Sequence, residues 1–322
     1  MPLVDVHTHV VPRHFPDAPV DESRWPCMCH NEDGIADVLI EGKSFRSIDR
    51  RSWDLSVRID DMGRAGVTRQ VLSPMPELLS YWFKPANASA MCRFINHEIA
   101  DMVAQQGEHF SGFGMVPLQD PELAAAELAT LKTSGLVGVE VGSNVNGHYL
   151  GEAQFDEFLA EAERLALAIF VHALHPIGIE RLDAFPDLIP FAGFPLDTAL
   201  CAMTLIRSGA LDRYPNLRIG FSHGGGSVIP LVHRLGKGAE VTGGFDGLLT
   251  RSPVEYARDF YYDNLVYDSD YLRYLSSFAP GKVFSGTDYP YLIMDPEPNL
   301  TVKSAGGDES MAWQAAHTFL GL

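Results

Sequence analysis

The sequence predicts an α/β protein, a (β/α)8 TIM barrel with a small inserted lobe after the first strand. Short β-branched or aromatic runs alternate with longer helical patterns, which marks repeated strand–helix units around a parallel sheet. Histidines and an aspartate recur at the ends of those runs, where a barrel gathers its active site. The 322 residues, 46% hydrophobic and 20% charged, suit a full globular core.

Eight strands are expected, at Leu3–His7, Arg69–Ser73, Phe110–Val116, Val137–Gly142, Ala168–His172, Leu217–His223, Phe260–Leu265 and Lys282–Thr287. Their number favours a closed barrel over an open doubly wound sheet. Asp120 followed by Pro121 reads as an N-cap and first helical residue, with Gly135 closing that helix. From Gln154 to Leu165, Phe155, Phe158, Leu159, Ala162 and Leu165 form one apolar stripe at helical spacing. Further helices are expected at Asp54–Ala65, Ala88–Gln106, Thr198–Ser208 and Val228–Gly236. The chain reads as one domain, 1–322, with an insertion at about 11–52. That insertion is rich in Pro, Asp, Gly and His and long for a βα connection, as segments that cover or build a site usually are.

A net charge of −18, from 42 Asp plus Glu against 24 Lys plus Arg, repels nucleic acid and anionic lipid. The expected partner is a small molecule. Met-Pro-Leu-Val-Asp-Val-His is no signal peptide, and the apolar stretch Leu165–Leu174 is too short to span a bilayer. The four cysteines are too few to staple a chain of this size, so the cytoplasm is the expected compartment.

His7 and His9 flank Thr8 at the end of the first strand, on one face of it, with Cα atoms roughly 6–7 Å apart. That spacing lets two imidazoles meet one ion. His172 and His223 end two other strands, and Asp288 follows the last. In a barrel all of these ends converge on one mouth. Three imidazoles and a carboxylate suit zinc, with manganese, iron or cobalt as alternatives.

Several segments carry a closer likeness: Phe45-Arg46, Trp53-Asp54, Ser80-Tyr81-Trp82 with Lys84-Pro85, Ser222-His223-Gly224-Gly225-Gly226, Gly286-Thr287-Asp288-Tyr289-Pro290 and Phe319-Leu320-Gly321-Leu322. The chain resembles the amidohydrolase superfamily nearly end to end, and most closely its decarboxylases of the aminocarboxymuconate-semialdehyde type. The resemblance implies that His7, His9, His172 and Asp288 hold one divalent metal, Asp288 also serving catalysis. It implies that His223 is the acid/base that activates a metal-bound water. Arg46 would bind a substrate carboxylate, and Arg234 would reach the neighbouring subunit's site in a homodimer. Leu174 would stand in the substrate-pocket wall, and Trp82 is a further candidate for substrate binding. No organic cofactor is implied.

The activity so implied is non-oxidative decarboxylation of a muconate-semialdehyde-type or aromatic carboxylate. The alternative is a hydrolase (a lactonase) or a hydratase on the same scaffold, since one activated water serves all of these outcomes. After His172 the chain reads Ala173-Leu174-His175-Pro176, with Leu174 where those decarboxylases carry tryptophan. Val20–Ile40 departs from them too, and both changes bear on substrate choice.

Other signals are weaker. Gly220-Phe221-Ser222-His223-Gly224 satisfies a serine-hydrolase elbow, with Asp288 and His317 in the right chain order. That reading leaves His7, His9 and His172 without a role. Cys27, Cys29 and His30 are expected to form a plain loop, because zinc sites use wider cysteine spacing. Glu140 is expected to be a wall or a hydrogen-bonding residue, and His148 and His175 to be solvated loop histidines. Trp53, Tyr81 and Trp82 either shape the pocket or pack.

Overall fold

The computed structural model describes residues 3–31, 33–243, 245, 247–307 and 309–322. Met1 and Pro2 of the N-terminal reading, and position 32 of the insertion, lie outside them. In chain order the strands are β1 (Leu3–Val10), β2 (Cys27–His30), β3 (Ile35–Ile40), β4 (Lys43–Asp49), β5 (Val67–Pro74), β6 (Phe110–Gly114), β7 (Gly138–Gly142), β8 (Ala168–His172), β9 (Arg218–Phe221), β10 (Tyr261–Asp263) and β11 (Val283–Phe284). All eight strands expected from the sequence are present. They form one sheet in the order β1-β5-β6-β7-β8-β9-β10-β11, each parallel to its neighbour.

The barrel closes between β1 and the segment running on from β11. Asp5 pairs with Ser285 and Thr8 with Tyr289, and the Val6 and His9 amides donate to the Ser285 and Tyr289 carbonyls at 2.8 and 2.7 Å. A Cβ at Gly286 would stand 2.7 Å from the His7 Cβ and 2.8 Å from the Asp263 Cβ, so only glycine allows this approach. Buried Asp5 reinforces the seam by accepting from the Thr287 amide (3.1 Å) and hydroxyl (2.7 Å). Burial pushes its pKa up to about 7, against the lowering effect of the Thr287 bonds.

The strands are buried on both faces, as parallel strands covered by helices must be. Inside the barrel Val4, Val6, Val71, Phe113, Phe170 and Phe284 form a separate apolar core. Phe319, on the C-terminal helix Glu309–Leu320, plugs it from the N-terminal end of the strands, its ring 5.0 Å from Phe284 and 6.1 Å from Phe113. Asp120 caps the helix Pro121–Thr133 as expected, and Asp54, read as the first residue of its helix, is instead the cap of Leu55–Ala65. Helices Pro253–Asp259, Ser269–Phe278, Pro298–Ser304 and Glu309–Leu320 were not among those expected. The helical stretch Ile189–Arg207 is long and apolar enough to span a membrane, but Ala199, Cys201, Ala202, Leu205 and Ile206 bury its inner face in the core.

Between β1 and helix Leu55–Ala65, strands β2, β3 and β4 form an antiparallel sheet. Its strands are short and of mixed polarity, so no alternation announced them. Trp25, Ala36, Val38 and Ile48 bury its inner side. Trp25 stacks on Phe83 (5.4 Å, 12°), and Asp21 pairs with Lys84, which fastens the lobe to the loop after β5.

Candidate metal centre

A break in register between Asp5 and Thr8 interrupts the alternation of β1. His7 and His9 thereby turn to the barrel axis above Val4 and Val6, while Asp5 and Thr8 face Gln70 and Arg58. His172 arrives from the end of β8 and Asp288 from the turn after β11. One ligand atom from each of His7, His9, His172 and Asp288 falls within 4.8 Å of all the others, and all four residues are buried. The His7 and His9 Nε2 atoms face each other at 3.1 Å, and Asp288 Oδ1 lies 3.2, 3.1 and 3.9 Å from Nε2 of His7, His9 and His172. Four donors about 2.1 Å from one ion sit roughly 3–4 Å apart, so the spacing fits a divalent cation.

The other ring nitrogens are committed. Nδ1 of His7 donates to Asp263 Oδ2 (2.7 Å), Nδ1 of His9 to the Pro74 carbonyl (3.0 Å) and Nδ1 of His172 to the Ala173 carbonyl (2.9 Å). Each bond fixes the tautomer that leaves Nε2 as the ligand atom. Buried His172 Nε2 and Asp288 Oδ1 have no hydrogen-bond partner, and an unmatched donor set in a dry site is what a cation satisfies. Burial pushes the pKa of His9 and His172 down to about 4, leaving both neutral. Burial acts on His7 in the same direction, but Asp263 and Asp288 outweigh it and hold His7 up at about 10. Protons therefore compete with the metal at His7.

Strand reading missed Asp263. At the end of β10 and fully buried, it accepts from His7 Nδ1, from the His223 amide (2.9 Å) and from the Gly224 amide (2.7 Å). Burial alone would raise its pKa, but the bonds from His7 and Gly224 hold it below the usual carboxylate range. One carboxylate thus orients a ligand and the candidate acid/base together. The available signal was an aspartate inside an otherwise apolar strand. His223 is held at φ 56°, a strained backbone for histidine. Its ring lies 5.2 Å from His172 and 5.3 Å from His7, and burial followed by those two neighbours lowers its pKa to about 4.

Arg46 lies on β4, its guanidinium 4.3 Å from the centre of the Tyr291 ring, which itself stacks on His9 at 5.0 Å. Arg46, Leu174, His172, His223 and Asp288 line one cavity of about 1120 Å³. Trp82 stands back from it, stacked on His175 (4.9 Å, 19°) beneath Arg24 and lining a separate, smaller cavity. Tyr81 accepts from the Gly142 amide (2.9 Å), so Ser80–Pro85 works as a structural junction. Arg234 is exposed on helix Val228–Thr242, outside its own cavity.

The remaining signals resolve as follows. Ser222 Oγ is buried without a partner, while His317 packs on Trp313 in the C-terminal helix, so no serine–histidine pair exists. Cys27 and Cys29 are exposed on β2, a strand where a loop was expected, and belong to no metal-ligand cluster among the described residues. His148 pairs with Glu152 on the surface, and His175 pairs with Glu77. Glu140, expected as a wall or hydrogen-bonding residue, lies beside the metal centre. It is fully buried 3.7 Å from His9 Nδ1, and neither oxygen has a hydrogen-bond partner. Burial raises its pKa well above the usual range.

A closed parallel barrel with a four-ligand divalent-metal site at the C-terminal ends of its strands defines a metal-dependent barrel enzyme. The chain belongs to the amidohydrolase family, whose model matches residues 4–308. It is 33% identical over 308 residues to 2-amino-3-carboxymuconate-6-semialdehyde decarboxylase of Dictyostelium discoideum, covering 94% of this chain and 85% of that one. With the Caenorhabditis elegans protein of the same name it is 26% identical over 382 residues, covering 99% and 94%. The crystal structure of 5-carboxyvanillate decarboxylase from Sphingomonas paucimobilis superposes with a TM-score of 0.76 at 27% identity over 84% of each chain.

Proposed function

We propose that this chain is a metal-dependent, non-oxidative carboxy-lyase acting on a muconate-semialdehyde-type or aromatic carboxylate. The observation that carries this is Arg46. Among the described residues it has no ionic or hydrogen-bonded partner, and it sits over Tyr291 and His9 at the edge of the metal centre. A free guanidinium there is a receptor for a carboxylate in an otherwise acidic protein. The named decarboxylase relatives support the same reading.

A divalent ion held by His7, His9, His172 and Asp288 supplies Lewis acidity to a substrate oxygen or to water. The donor set favours zinc, although a dihydroxybenzoic acid decarboxylase of the same fold carries manganese. The net reaction removes carbon dioxide and places a proton on the carbon that carried it, leaving the bonding electron pair with the substrate. No oxidant is required. Neutral His223, across from the ligands, takes a proton from a substrate hydroxyl or water and returns one at that carbon. Arg46 fixes the carboxylate while Asp263 holds His223 in place. Arg234, exposed and without an ionic or hydrogen-bonded partner among the described residues, is proposed to complete the neighbouring site of a homodimer.

The test is carbon dioxide release from aminocarboxymuconate semialdehyde and from 2,6-dihydroxybenzoate by metal-loaded enzyme, with chelated enzyme as control. Metal-dependent release is expected, and His223→Ala should abolish it while retaining wild-type metal content. A hydration or hydrolysis product without carbon dioxide would replace this reading with the hydratase or lactonase one.

A further inference from the structure

The cavity is larger than the chemistry proposed for it needs. At about 1120 Å³ it exceeds the usual range of roughly 300–1,000 Å³ for small-molecule sites. A benzene ring fills a cavity of about 150 Å³, so a simple ring acid on the metal leaves most of the volume unused.

The remainder has a definite chemistry. Away from His172, His223, Asp288 and Arg46, most of its lining is apolar, with Ile179, Ile189, Phe191, Phe194, Leu292 and Ile293 beside a few hydroxyls such as those of Ser227, Tyr267 and Tyr271. The other charged groups lining it are already satisfied. Arg51 holds Asp49 through bonds of 2.9 and 2.8 Å, and Glu77 holds His175 at 3.0 Å. A hydrocarbon on these apolar walls would gain by leaving water, while a polar substituent there would find few partners away from the metal end, where the Tyr291 hydroxyl is buried without one. Two of these lining residues remain open to solvent, Phe191 at 60% and Leu292 at 101% exposure.

We infer that this region is a subsite for a hydrocarbon substituent, and that the substrate is a ring carboxylic acid bearing an alkyl chain or comparable apolar group. The inference rests on the carboxylate reading of the metal end and adds the chemistry of the other end. The occupant is part of the substrate, because the apolar walls are continuous with the reacting groups inside one cavity. Ile179, Ile189, Phe194 and Ile293 are half-buried within it.

The test uses 2-hydroxybenzoates carrying an alkyl chain of one to eight carbons, in two sets with the chain ortho or para to the carboxylate. Dissociation constants are measured by calorimetry on metal-loaded enzyme, below micelle formation, alongside carbon dioxide release. Full burial of a methylene is worth roughly fourfold in affinity. At least a tenfold gain from methyl to hexyl is expected in one set, and Ile189→Glu and Ile293→Glu, checked for folding by their melting, should remove that gain. Flat affinity in both sets, or a gain unchanged in both variants, overturns the subsite. A chain-length gain, with no carbon dioxide from any member or from aminocarboxymuconate semialdehyde, upholds the subsite and removes the decarboxylase reading. Carbon dioxide from the methyl acid with a flat series does the reverse.

Discussion

At the N-terminal end of the barrel Phe319 closes an apolar core made of Val4, Val6, Phe113, Phe170 and Phe284, with ring packed on ring. At the C-terminal end, around His7, the buried groups are polar, and several lack partners: His172 Nε2, Asp288 Oδ1, His223 Nδ1 and both oxygens of Glu140. The first end is what a barrel needs in order to stand. The second carries desolvation that folding alone does not repay and that a cation and a carboxylate would. The same strands run through both ends, so stability and function are divided along the barrel axis.

The largest expected effect tests the lower end. Phe319→Ala should cost about 3–5 kcal/mol of stability, because a ring removed from a filled barrel leaves a cavity that the strands cannot collapse. It should leave metal affinity within a factor of about two, since its contacts lie a layer below the ligands. Urea unfolding and metal titration of the same preparation check both statements. A large fall in metal affinity would show that the two ends are mechanically coupled.

Asp263→Asn tests the upper end, with a smaller free-energy change concentrated on function. Loss of the charge that orients His7 should lower metal affinity by about 10–100-fold while the urea midpoint moves far less than for Phe319→Ala. The same substitution disturbs the His223 amide, so turnover at saturating metal should fall as well. Unchanged metal affinity would mean that Asp263 serves only to hold the turn at Gly224.

How legible these two ends were in the sequence follows from what each depends on. His7 and His9 could be read because strand alternation is local, and His172, His223 and Asp288 because their runs end where a barrel mouth must be. Asp263 could not, since its role arises from β10 lying between β9 and β11, a relation between distant segments. Trp82 misled for the mirror reason. A tryptophan beside a recognisable motif reads as pocket wall, yet the lobe and His175 claim its two faces. The lobe's sheet was hidden because half-exposed strands of four to seven residues show no clean alternation.

The smallest effect separates position from satisfaction. Asp54 lies at the start of helix Leu55–Ala65, near the metal end, yet it is fully partnered. It accepts from the Ser56 hydroxyl (2.6 Å) and amide (3.0 Å) and pairs with Arg50. Those bonds, the Ser56 hydroxyl first, lower its pKa from 3.8 to about 2. A depressed carboxylate contributes stability that is present above its unfolded pKa and is lost as pH falls through the folded one. Asp54→Ala should therefore cost about 1 kcal/mol at neutral pH, and the gap to wild type should narrow between about pH 4 and pH 2, with metal affinity unaltered throughout. A constant gap across that range would assign the effect to helix propensity instead of the charged cap. A loss of metal affinity would mean that nearness to the mouth, and not the lack of a partner, ties a polar group to the metal.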